Sequence, residues 1–388
     1  MDFKRYFVRK SVARIQEESN NHELKRTLTA KNLISLGIGC IIGTGIFVLT
    51  GQAAAQYAGP AVIISFVLAG IACAFAALCY AELASALPVS GSAYTYAYAT
   101  LGESVAWAMG WLLILEYGLA SATVAVGWSG YVVSLLKDFG IIIPHTLSSS
   151  YIDVNQAGEA FASGNFNLPA MLGLLGVTAL LVIGISESAK VNNFIVVVKI
   201  SVVLVFIAIG VFYVDPNNWH PFIPDQIVTH VENGKDIVKY GYDGILKAAG
   251  VVFFAYIGFE AVSTAAQEAK NPQRDIPIGI LGSLAICTVL YMIVTAVLTG
   301  IVSYKELNVP DPMAVATDKI NIPWLTVSVA GHSLKLLSVF IKVGVIMGLS
   351  SVMLVLIYGQ TRIFYMMSKD GLIPQIFSKL HDKFKTPY

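Results

Sequence analysis

Two glycine-interrupted segments and two isolated charges place reactive groups inside otherwise apolar stretches of this chain. The first segment, ISLGIGCIIGTGIFVLTG (34–51), carries Gly37, Gly39, Gly43, Gly45 and Gly51. If Gly43-Thr44-Gly45 interrupts a helix in a hydrocarbon environment, it frees backbone N–H and C=O groups that only a protein-lined cavity or a ligand can satisfy. The same spacing has a plainer use, because Gly39-x-x-x-Gly43 lets a second helix approach closely. The second segment, ILKAAGVVFFAYIGFEAVSTAA (245–266), repeats the device with Gly258 near its middle, followed by Glu260. Glu116 and Lys199 are the isolated charges, and at such depth an ionisable group is costly unless paired, hydrated or able to exchange its proton. Glu116 reads either as a neutral carboxyl bonded to a neighbouring helix or as a group lining a solute path. Lys199 reads either as a fixed structural cation or as one that changes protonation when a cavity opens. Glu260 is placed to lock the half-helix after the second break, while Lys247 and Lys342 are near span ends and are expected to snorkel to water.

Other chemistries lack their residues. His22, His145, His220, His230, His332 and His381 all fall in loops or at ends, and neither H-E-x-x-H nor G-x-S-x-G occurs. Without these the chain is not expected to be an enzyme, and no metal site or cofactor is expected. A dinucleotide site is excluded because GIGCIIGTG has the spacing G-x-G-x-x-x-G and no strand–helix unit around it. No G-x-x-x-x-G-K-[ST] is present for an ATP-driven pump, and no filter loop or pore-lining polar stripe stands out for a channel. Cys40, Cys73, Cys79 and Cys287 lie in apolar runs as small hydrophobes.

The elements that must hold these residues follow from composition. Of 388 residues 56% are hydrophobic and 13% charged, with net charge +1, and the mean hydropathy is +0.70. That charge content excludes a water-soluble fold, and the balance leaves no basic field for nucleic acid. Runs long enough to cross a bilayer cover 33–56, 60–86, 104–136, 168–186, 191–214, 244–266, 276–302 and 334–360, which predicts eight spans. With the N-terminus inside, sixteen Lys and Arg fall on the inner side and six on the outer, so a cytoplasmic N-terminus is expected. No secretory signal peptide is expected, because the basic first thirty residues lack an apolar core and cleavage site. Residues 360–388 mix basic with aromatic and aliphatic residues, as surface-lying helices do, and the similar mixture at 3–15 reads either as a second such helix or as a disordered basic tail. The two interruptions are five spans apart, and this odd offset makes their helices antiparallel, as in an inverted repeat with substrate at the midplane.

IGCIIGTGIF (38–47), CYAELASALPVSGSAYTYAYATLGE (79–103), LEYGLASATVAVGWSGY (115–131), FFAYIGFEAV (253–262) with EAKNPQRDIPIGI (268–280), and YGQTRIFYMMSKDGLIP (358–374) resemble the amino acid–polyamine–organocation superfamily. The third and last of these look most like its cationic amino acid transporter branch. The resemblance covers nearly the whole chain. It implies an all-α integral membrane protein with a five-plus-five inverted-repeat fold and broken helices 1 and 6, here ending after about eight spans, at KFKTPY, where the family usually has twelve or more. The expected layout is a cytoplasmic segment (1–32), a first repeat (33–214), an extracellular loop (215–243), a partial second repeat (244–360) and a cytoplasmic amphipathic segment (361–388) leading to further spans.

By the same resemblance, Thr44 and Gly45 would hold a substrate carboxylate, with Gly43 supplying flexibility. The Ile41 carbonyl would meet the ammonium, joined by those of Phe253, Ala255 and Tyr256, and Phe254, which otherwise reads as helix packing, would close over the substrate. Glu116 would receive the cationic end of an arginine or lysine side chain. The Lys199 ammonium would occupy the place of a coupling cation, near the Gly39 and Ile42 carbonyls and the Ser350 or Ser351 hydroxyl. Glu82, Glu103, Glu187, Glu268 and Arg274 lie where inner-gate ion pairs form in such folds. The function so implied is proton-coupled secondary transport of cationic or small neutral amino acids across the plasma membrane, the alternative being an exchanger or uniporter without proton coupling. The partners are the amino acid and membrane lipid, and a small accessory membrane subunit stays open.

Overall fold

Long apolar runs must close their backbone hydrogen bonds within themselves, and in the computed structural model of the protein they do so as helices. The structure describes residues 9, 11, 27–86, 92–154, 160–183, 189–229, 237–329 and 332–379. The surface helix expected over 3–15, apart from Arg9 and Ser11, together with Glu187 and the end of the amphipathic segment (380–388), lies outside the described residues.

Helix α1 (Ala30–Ile41) opens on Thr29, whose N–H donates to Asn32 Oδ1 at 3.1 Å, and it stops at a bend over Ile42 and Gly43. The chain resumes as α2, built from Gly45–Leu49, Thr50–Ala53 and Ala54–Ala58, of which the first and third are π-helical turns. Pro60 starts the next direction and leads into α3 (Val62–Ala86). Then come α4 (Ser92–Thr100), α5 (Glu103–Asp138), α6 (Leu168–Ile183) and α7 (Ala189–Gly210). Helix α8 (Gly241–Val252) tightens into a 3-10 turn over Phe253–Tyr256, and the chain turns helical again at α9 (Ala261–Thr264). The described helices of this size end with α10 (Pro272–Ile301), α11 (Pro312–Lys319) and α12 (Leu336–Lys369). Antiparallel ribbons pair Ile152–Val154 with Ala160–Ala162, Ile227–Thr229 with Ile237–Lys239, and Thr326–Val329 with His332–Lys335.

Six stretches are long and apolar enough to cross a membrane, and Ala30–Ile41 and Leu168–Val182 are shorter apolar helices. The difference from eight expected spans arises in two places. The first span is cut after Ile41 and its second half runs on into α3 through Gly59–Ala61, while the fourth is described only as Leu168–Ile183, the rest of the expected 168–186 lying outside the described residues. Helix α12 continues to Lys369, so the segment expected to begin at 361 starts inside it.

Helix α10 packs against α3 and α1, and α8 packs against α3. Helix α12 packs against α5, α6 and α7. Both interrupted segments belong to the first group, and Ile41, Ile42, Phe47, Ala255, Tyr256 and Tyr291 are buried together in one core.

Candidate functional site

The two interruptions lie directly against each other. A Cβ on Gly45 would stand 2.5 Å from the Cβ and 2.7 Å from the Cα of Ala255, so only hydrogen fits there. Gly258 has φ +109°, and a Cβ on it would lie 2.9 Å from the Cys40 carbonyl oxygen, which restricts the position to glycine on two counts. Ile41, Ile42, Gly43, Thr44, Gly45, Ala255 and Tyr256 are buried, Phe254 is half-buried, and Phe253 is exposed.

Because α1 ends at Ile42, in extended conformation with φ −69° and ψ 103°, its last carbonyls need donors from elsewhere. Tyr291 of α10 places its hydroxyl oxygen 2.9 Å from the Ile41 carbonyl oxygen and 2.7 Å from that of Ala255. Tyr131 of α5 donates to the Phe47 carbonyl at 2.6 Å, and Tyr256 donates to the Phe66 carbonyl of α3 at 2.8 Å. The Gly43 carbonyl accepts from Ile46 and Phe47 N–H at 3.2 and 3.3 Å, which starts the second half-helix. The Tyr256 carbonyl takes the Phe259 N–H at 3.4 Å. Of the four carbonyls expected to face an ammonium, two thus converge on one point, at Tyr291. The Thr44 hydroxyl is buried and has no hydrogen-bond partner among the described residues. An arrangement with convergent carbonyls, a helix start and a spare hydroxyl has the donors and acceptors a zwitterion requires.

Lys199 of α7 is 2% exposed, and its Nζ donates to the Gly39 carbonyl at 3.1 Å. Gly39 and Gly348 make the approach possible, because a Cβ on Gly39 would come 2.4 Å from Val196 Cγ2, and one on Gly348 would come 3.1 Å from Lys199 Cγ. Both sequence readings of the glycine-rich segment therefore hold, at different residues: close approach at Gly39, interruption at Gly43 to Gly45. Ser351 donates to the Gly348 carbonyl at 2.9 Å. Ser350 accepts from Trp128 Nε1 at 2.9 Å and donates to the Ile346 carbonyl at 2.8 Å, because the indole N–H of α5 needs an acceptor there.

A cavity of about 190 Å³ opens between α3, α5 and the turn after α8, with Tyr80, Glu116, Phe253 and Glu260 in its wall. Glu260 Oε2 accepts the Gly258 N–H at 2.9 Å, and the Glu260 carbonyl accepts from the Ser263 hydroxyl at 2.6 Å. Its carboxylate therefore fastens the turn, in keeping with the locking role expected of it.

Lys342 corrects a sequence expectation. It does not snorkel: its side chain is fully buried, with Nζ 2.7 Å from Asp138 Oδ2 at the end of α5 and 3.1 Å from Asp318 Oδ2 in α11. Two carboxylates offset the desolvation that hydropathy alone would have relieved in water. Ser338 donates to Asp318 Oδ1 at 2.6 Å. At the start of α11, burial holds the Asp311 carboxyl above its ordinary range, against the opposing pull of the Ser134 hydrogen bond and the Lys342 charge. On its other side the same segment is tied to α2, where Gln52 Nε2 donates to the Val309 carbonyl at 3.2 Å and Gln56 Nε2 to Asn308 Oδ1 at 2.7 Å. Lys247 remains at the surface, donating to the Val238 carbonyl at 3.1 Å. Among the described residues, Glu82, Glu103, Glu268 and Arg274 form no ion pair with one another.

Sequence reasoning missed Tyr291, Tyr131, Trp128 and the Asp138–Lys342–Asp318 cluster. A phenol or indole in an apolar helix carries no signal that separates packing from hydrogen bonding. Asp138 lies just past the expected 104–136 span, and Asp318 lies in the middle of the stretch between the spans 276–302 and 334–360, where neither stands out.

The model of the family described as amino acid permease matches residues 28–388. The chain is 47% identical over 382 residues to the methylthioribose transporter of Bacillus subtilis (strain 168), covering 98% of this chain and 76% of that protein. It is also 47% identical over 384 residues to the branched-chain amino acid permease of the same organism, with the same coverage. Cationic amino acid transporter 9, chloroplastic, of Arabidopsis thaliana is 38% identical over 367 residues, 94% of this chain and 58% of that one. These relatives are transporters and permeases, not enzymes. A match spanning nearly the whole of a chain with several membrane-length helices makes this a multi-pass membrane transport protein, and it belongs to the amino acid permease family.

Proposed function

We propose that the protein is a proton-coupled secondary transporter of cationic and small neutral L-amino acids, such as arginine, lysine or alanine, working by alternating access in the plasma membrane with its N-terminus in the cytoplasm. The observation that carries this reading is the meeting of the two breaks, where the Ile41 and Ala255 carbonyls converge and the Thr44 hydroxyl has no partner among the described residues. In this reading the substrate carboxylate lies at Thr44 and Gly45, at the positive end of α2, and the ammonium lies between the two carbonyls. The interrupted helices belong to antiparallel spans of a five-plus-five inverted repeat. Phe254 closes over the substrate, and Glu116, in the wall of the adjoining cavity, receives a cationic side chain. Lys199 is the proton site, because its bond to the Gly39 carbonyl joins α7 to the first half of the broken helix and can be made or lost as that half moves.

The names of the relatives widen the panel of solutes rather than narrowing it, so leucine and methylthioribose are assayed beside alanine, lysine and arginine. The test is uptake of each labelled solute into proteoliposomes with and without an inward proton gradient. Gradient-driven accumulation of an amino acid is expected, with Lys199→Ala losing accumulation while keeping exchange, and Glu116→Gln losing arginine uptake more than alanine uptake. Accumulation of methylthioribose alone would replace the amino-acid reading. Exchange without accumulation in the unaltered protein would remove proton coupling and return Lys199 to a structural role.

A further inference from the structure

The Tyr291 hydroxyl has one proton and two acceptors. Its oxygen is 2.9 Å from the Ile41 carbonyl oxygen and 2.7 Å from that of Ala255, and each of those carbonyls lies at the end of a half-helix. A phenol donates one hydrogen bond at a time, so one of the two carbonyls always faces its lone pairs. An ammonium has three donors and would satisfy both, with the shorter, stronger bonds of a charged donor. The partial negative charge at half-helix C-terminal ends adds to that preference. Tyr291 is fully buried, and its ring lies 5.3 Å from the rings of both Phe66 and Tyr256.

We propose that the Tyr291 hydroxyl stands in for the substrate ammonium between the Ile41 and Ala255 carbonyls, so that the carrier can reorient without cargo. This rests on the reading above that the ammonium binds those carbonyls. Reorientation requires the two interrupted helices to stay joined. With cargo the ammonium joins them; without it two carbonyl oxygens would be turned toward one point with no donor, and the hydroxyl removes that repulsion. The hydroxyl is also the weaker ligand, so an incoming ammonium displaces it. Tyr291 is thus a positioning residue for the unloaded step. Net uptake, which includes an unloaded return, depends on it, whereas exchange, which is loaded in both directions, depends on it far less.

The experiment compares net uptake into solute-free proteoliposomes with exchange into vesicles preloaded with the same amino acid, using labelled alanine, leucine and arginine. Tyr291→Phe is expected to lower net uptake ~10-fold more than exchange, the scale of one lost hydrogen bond in the limiting step. Phe66→Leu, which loosens the ring packing and leaves the hydroxyl, is expected to slow both alike. Equal loss of net uptake and exchange in Tyr291→Phe, or no loss of either, overturns the proposal while leaving the transport reading standing. An unaltered protein that carries none of the amino acids overturns both. If Tyr291→Phe does not fold, 4-aminophenylalanine at position 291 supplies two N–H donors: net uptake with a raised KM is expected, and an unchanged KM overturns the proposal.

Discussion

Thr44 offers the sharpest separation of stability from function. Its hydroxyl is buried without a partner among the described residues, a situation that costs a protein ~1–3 kcal/mol relative to an apolar group of the same shape. Thr44→Val is therefore expected to leave the melting temperature unchanged or raise it. If the hydroxyl holds the substrate carboxylate, the same change removes a hydrogen bond to a charged group and raises KM ~10-fold or more. Melting curves and the concentration dependence of uptake, on one preparation, check both halves, and an unaltered KM would take Thr44 out of the site. At this scale the sequence was readable where backbone geometry leaves a mark in residue type. Gly45 and Gly258 are glycine because Ala255 and the Cys40 carbonyl occupy the space a Cβ needs. Tyr291 left no such mark, since its acceptor at Ile41 is 250 residues away in the chain.

At the scale of elements, hydropathy located the spans and missed what ties them together. It placed Lys342 in water because the residue lies near a span end, yet Asp138 of α5 and Asp318 of α11 bring the charge partner inward. The short α11 was not foreseen either, since eight residues that begin at a proline and end on Asp318 and Lys319 give no periodic signal strong enough to outweigh a loop. Lys342→Met is expected to destabilise the protein. Breaking a buried pair by removing one partner costs about 3–5 kcal/mol, and the exposure of the two carboxylates, 22% and 44%, reduces the figure to about 1–3 kcal/mol. The melting temperature in detergent measures this, and adding Asp138→Asn and Asp318→Asn to the same chain should restore much of the loss. A snorkelling lysine would show no loss and no restoration.

For the molecule as a whole, α11 and the loop before it clasp two groups of helices. Gln52 and Gln56 tie the loop to α2, within the group that contains both breaks, and Lys342 and Asp318 tie α11 to α12 and α5. If the protein works by alternating access, as proposed above, the first group moves against the second, and one of the two ties must open whenever the side bearing α11 opens. Magnitudes choose between them. The glutamine bonds join neutral groups and are partly open to water, worth about 0.5–1.5 kcal/mol each, whereas releasing Lys342 would leave a buried charge unpaired. The loop is therefore expected to stay with α12 while α2 parts from it. Two crosslinks in a cysteine-free background separate the cases. A short bismaleimide across Gln56→Cys and Asn308→Cys should stop uptake and exchange together. A disulfide between Thr317→Cys and Ser338→Cys, whose native hydroxyl oxygens are 3.4 Å apart between α11 and α12, should leave both running. The reverse pattern would mean that α11 travels with the broken helices and that the charged cluster is the joint that opens.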